Sequence, residues 1–99
     1  MIVEQQEPID TDTVRDIAAD LRGELDRVEE QMADLTREHK RAVALKHIFG
    51  MDPLTRDRFN HLHANIDQFP GKMAELREEA RLLTRWLDRC RDLLQAKAA

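Results

Sequence analysis

Ninety-nine residues allow one domain, and 41% hydrophobic with 36% charged, three Gly, three Pro and no Tyr is the make-up of a long-helix protein. β-branched residues are sparse and no stretch alternates with period two, which excludes a sheet protein, and no apolar run nears the ~18–20 residues of a membrane span. A net charge of −4 and a single cysteine, Cys90, argue against a nucleic-acid-coating surface and an internal disulfide; a cytoplasmic protein without cofactors is expected.

Residues 1–11 are polar, hold Pro8, lack Lys and Arg, and read as a flexible arm rather than a targeting signal. Thr11, Asp12 and Thr13 are N-cap candidates, and Thr13 with Asp16 resembles a capping box. A single helical domain, 12–97, is expected to follow. Helix 1, at 12–49, carries a seam at Val14, Ala18, Leu21, Leu25, Val28, Met32, Leu35, His39, Ala42, Lys46 and Phe49. The alternating spacing of four and three is the heptad of a helix packed lengthwise on another. Gly23 within it costs ~1 kcal/mol relative to Ala, and Gly50 suits the C′ position.

Asp52-Pro53 is a cap followed by Pro at the first helical position, which places helix 2 at 53–68. Phe69-Pro70-Gly71 interrupts it, because Pro70 has no N–H and crowds the carbonyl four residues back. Helix 3 is expected at 71–97. Yet the series Phe59, Leu62, Ile66, Phe69, Met73, Leu76, Ala80, Leu83, Leu87, Cys90 and Leu94 keeps its phase across Pro70. The expected fold is therefore all-α, a long antiparallel helical hairpin whose second arm is kinked at Pro70. A three-helix unit that turns back at Pro70 is the competing layout.

A two-helix structure encloses little core, so either layout should associate into a helical bundle. Leu21, Leu25, Val28, Met32 and Leu35 on the seam, with Trp86 and Leu93 on the flank of helix 3, are the expected interface. Ile17, Val43, Leu45, Ile48 and Leu82 also widen the apolar stripe. His39 and Lys46 are polar at seam positions. They fix register at a cost in stability, and protonation of a buried His39 near pH 6 is the expected switch.

Charge is segregated. Residues 1–38 hold twelve acids and four bases, whereas 39–72 hold six bases and three acids together with all four histidines. Asp12, Asp16, Asp20 and Glu24 form one ladder at i,i+4, and Asp26, Glu30, Asp34 and Glu38 a second. Arg77, Arg81, Arg85 and Arg89 form a third, level with the acids in an antiparallel hairpin. Pairing within the bundle is the first expectation, and docking of a partner the second. Lys40, Arg41, Lys46, Arg56 and Arg58 make a basic patch near the hairpin end. No metal site is expected: His61 and His63 point to nearly opposite sides of a helix, Asp57 with His61 and His63 with Asp67 could each give two ligands, His47 adds no HxxxH or ExxH motif, and there is no second cysteine.

The run Leu21-Arg22-x-x-Leu25-Asp26-x-Val28-Glu29-x-x-Met32-x-x-Leu35 resembles the first helix of the small all-helical chorismate mutases, which dimerise through intertwined helices. The resemblance covers about twenty residues, mostly heptad positions, and implies Arg22 as one cation for a dicarboxylate substrate. The chain then departs from the pattern. His39 stands where that family has a second arginine and Gly50 where it has a lysine, and only Thr84 and Asp88 have suitable spacing on helix 3.

The expected function is thus a non-enzymatic helical interaction or regulatory module, either an adaptor or a small inhibitor of the phage or mobile-element type. It binds itself, as a homodimer or higher oligomer, and another protein; direct binding of nucleic acid or membrane is not expected. The alternatives are a chorismate-mutase-like enzyme and a nucleotide- or nucleic-acid-binding regulator that uses the basic hairpin end.

Overall fold

The computed structural model describes residues 8–49 and 56–98, with side chains over 8–49 and 62–96. They form two helices, α1 (Thr11–Phe49, 39 residues) and α2 (Arg56–Ala98, 43 residues), packed lengthwise as an antiparallel hairpin. At 1.5 Å per residue the arms measure about 58 and 64 Å, and the molecule extends 74 × 29 × 15 Å. The expected helix ends at Gly50 and Asp52-Pro53 lie outside the described residues.

The start of α1 corrects the expected cap. Asp10, assigned to the arm, holds the first turn: its Oδ1 accepts from the Asp12 N–H at 3.2 Å and its carbonyl from the Val14 N–H at 3.1 Å. The Thr13 hydroxyl donates to Asp10 Oδ2 at 2.8 Å and holds that carboxylate over the first turn, so the N-cap is Asp10 rather than Thr11, Asp12 or Thr13.

The second correction concerns Pro70. Separate helices at 53–68 and 71–97 are not what forms; α2 runs through Pro70 as one element, and the three-helix layout is excluded. The missing N–H costs the bond to the Ile66 carbonyl. Packing on both sides of the proline outweighs that loss: Phe69 stacks on His39, and Met73 is buried. The unbroken three-four phase keeps both halves of α2 on the same face of α1.

The His39–Phe69 stack also fixes the register. It sets a seam residue of α1 against a seam residue of α2, with ring centroids 3.9 Å apart. Stepping outward from it by threes and fours places Met32 opposite Leu76, Val28 opposite Ala80, Leu25 opposite Leu83, Leu21 opposite Leu87 and Ala18 opposite Cys90. The core cluster of Leu25, Val28 and Leu83, with Leu21, Met32, Leu76, Ala80 and Leu87 packed on it, is what this register requires. Each such buried side chain contributes about 1.5–3 kcal/mol. Val28 and Leu83, 1% and 2% exposed, lie at its centre, and Cys90 is a buried free thiol.

Candidate functional site

A heptad helix leaves two rows beside its seam, and in an antiparallel pair like rows lie on the same side. One flank therefore carries, from the open end towards the turn, Ile17 with Leu93, Glu24 with Trp86, Gln31 with Glu79, Glu38 with Lys72, and Leu45 with Asn65. Its middle is directly visible: Gln31, Asp34, Leu35, Glu38, Lys72, Glu75 and Leu76 line one shallow groove of about 320 Å³. The opposite flank carries Arg15, Arg22, Arg77, Thr84 and Arg91, all exposed. The hairpin is thus two-faced.

Apart from Val43, half-buried on the opposite flank, the surplus apolar residues gather on the first flank. Ile17, Trp86 and Leu93 are 47%, 44% and 40% exposed, and half-buried Leu21 and Leu82 border them. Near the turn the same flank holds half-buried Leu45 and exposed Ile48. Trp86 and Leu93, expected at the interface, are thus exposed on this flank. The other expected interface residues do not: Leu25 and Val28 are buried against α2 within the chain, and Leu21, Met32 and Leu35 are half-buried on the same seam. What was read from the sequence as interface is mostly the chain's own core.

His39 sits in the seam as expected. Its Nδ1 is buried without a hydrogen-bond partner among the described residues, and Leu35, Glu38, Asn65, Phe69 and Lys72 surround a void of about 40 Å³ beside the ring. Lys46 at the next polar layer is half-buried. An unsatisfied buried nitrogen is destabilising. His39→Leu is therefore expected to stabilise the chain by about 1 kcal/mol, read as a raised urea midpoint. A lowered midpoint would mean that the stack on Phe69 outweighs the unpaired nitrogen.

The ladders behave differently from the first expectation. Asp12 pairs with Arg15 at 3.1 Å, Asp26 with Arg22 at 3.5 Å, Asp34 with Arg37, and Asp88 with Arg91 at 3.3 Å, each along its own helix. Arg81 donates to both oxygens of Glu78 at 2.6 and 2.8 Å, and these bonds push its pKa up. Exposed charges take the neighbour one turn away, because crossing the apolar seam would cost them their hydration. Asp16, Asp20, Glu24, Glu30, Glu38, Arg77, Arg85 and Arg89 complete the ladders on exposed surface.

Lys40 and Arg41 are exposed near the turn, with Arg41 sharing an open groove with Asp34, Arg37 and Glu38. Arg56 and Arg58 lie outside the residues whose side chains are described. Arg22, the cation implied by the chorismate-mutase resemblance, is exposed on the polar flank against Asp26, and the Thr84 hydroxyl donates to the Ala80 carbonyl. Compared with protein-family models, with curated proteins and with solved structures, the chain has no match.

Proposed function

We propose that the chain is a non-enzymatic helical interaction module, a strut that associates through its apolar flank and holds another macromolecule on its charged faces. An adaptor or a small inhibitory protein would work in this way. The observation that carries the reading is the excess of surface. A compact chain of 11.6 kDa exposes about 5,800 Å² and has a radius of gyration near 13 Å, against 8174 Å² and 22.0 Å here. A layer two helices wide and one helix thick, with Ile17, Trp86 and Leu93 in solvent, gains by covering that flank.

With the purified chain as bait in a lysate of its host, one protein should be retained in stoichiometric amount. Reversing the second acidic ladder (Asp26→Lys with Glu30→Lys) should cut that recovery about tenfold, as loss of a central anchor does. Recovery of nothing above a scrambled helical control would overturn the reading. So would conversion of chorismate to prephenate by the purified chain, or salt-dependent nucleic-acid binding lost on Arg56→Ala with Arg58→Ala.

A further inference from the structure

The apolar flank is self-complementary under one particular symmetry. We infer that its occupant is a second copy of this chain, related by a two-fold axis parallel to the long axis of the hairpin. The inference rests on reading the chain as an interaction module and names its first partner.

Two isologous arrangements can face one flank against its copy. With the axis along the helices, α1 lies over α2 of the second copy at the same level, and the two open ends coincide. With the axis across them, α1 lies over α1 of the second copy, running in the opposite direction.

The residues on the flank distinguish these arrangements. In the first, Ile17 of one chain meets Leu93 of the other and the two Trp86 side chains stand at one level near Leu82, each with a Glu24 of the other chain over it, while Leu45 lies over Asn65. Glu38 lies over Lys72, and Asp20, on the outer edge of α1, lies over Arg89 on the outer edge of α2; only Asp34 over Glu75 brings like charges together. In the second, Ile17 meets Leu45, but Glu24 lies over Glu38 and Glu79 over its own copy, Trp86 meets Lys72, and Leu93 meets Asn65. Like charges placed opposite each other disfavour an interface, and an exposed apolar cluster gains only by meeting another. The first arrangement alone brings the two apolar open ends together, and it does so with Glu38 over Lys72 and Asp20 over Arg89.

The area is sufficient. From Ile17 to Leu45 the flank runs about 42 Å and is two helices, about 20 Å, wide. That gives roughly 800 Å² per copy, the size of one side of a standard interface. The product is a four-helix bundle whose second layer is supplied by the second copy.

Sedimentation equilibrium of the full chain should return twice the 11.6 kDa mass. Arg89→Glu, at an exposed site that leaves the seam intact, should weaken the dimer about tenfold, and adding Asp20→Arg to the same chain should restore it. In a Cys90→Ala background, oxidising a mixture of Ile17→Cys chains with Leu93→Cys chains should give a mixed disulfide dimer. A monomer at high concentration overturns the inference while leaving capture of another protein, read by the bait experiment, unaffected. A dimer that cross-links Ile17→Cys with Leu45→Cys instead, or that is indifferent to the charge exchange, overturns it as well.

Discussion

Leu83→Ala is expected to destabilise the folded chain by about 3 kcal/mol, the largest loss for any single truncation. Leu83 is 2% exposed and lies against Leu25 and Val28, with Leu76, Ala80 and Leu87 completing its surroundings. Removing three carbons there loses their transfer energy and leaves a cavity that two long rigid helices cannot close by local adjustment. A small domain with so narrow a core should be near the lower end of the usual 5–15 kcal/mol of stability, so the variant would lose about half of it. Urea unfolding followed by helical circular dichroism, at fixed protein concentration, should show a lowered midpoint with an unchanged slope. Leu94→Ala, at a half-buried position near the open end, should cost about 1 kcal/mol. If the two variants unfold at the same midpoint, stability is spread evenly along the seam and the central cluster has no special weight.

Pro70→Ala acts in the opposite direction. Proline inside a helix costs about 3 kcal/mol, while its restriction of the unfolded chain returns up to ~1 kcal/mol. The substitution should therefore stabilise the chain by about 2 kcal/mol and raise the melting temperature by roughly 8–16 °C. Gly71→Ala is the natural control. A Cβ there would have nothing within 4 Å, so only the backbone-entropy gain of about 0.5–1 kcal/mol is expected. A melting temperature lowered by Pro70→Ala would show instead that the ring sets a path along which α2 follows α1.

Much of the architecture was legible because one rule governs it. The three-four spacing specified both helices and their pairing, and its persistence across Pro70 pointed to a hairpin even while the local chemistry of proline argued for a break. Local chemistry lost because Phe69 and Met73, one on each side, are both held by α1. The cap was less legible: Asp10, Thr11, Asp12 and Thr13 are all competent, and the seam, which begins at Val14, does not say which of them closes the first turn. The ladders were visible as spacing, but their partners were not, since Arg15, Arg22, Arg37, Arg81 and Arg91 each have an acid within one turn on the same helix.

The flank was half legible. Ile17, Trp86 and Leu93 stood out as apolar surplus, but nothing in the chain's order says that they share a side. That follows only from the register, which shows itself in the stack of His39 on Phe69. For the same reason Phe69 went unrecognised as the partner of His39, although both had been placed on the seam.

The antiparallel layering has a mechanical consequence. Val14 and Leu94 close the same end of the rod, so a load applied between the start of α1 and the end of α2 pulls across the seam rather than along it. Each layer then bears the whole force in its turn: Val14 against Leu94 parts first, Ala18 against Cys90 next, and the His39–Phe69 stack late. Such a rod peels in small steps at low tension. Gripped at opposite ends, the same rod would have to shear every layer together, and its resistance would be far greater.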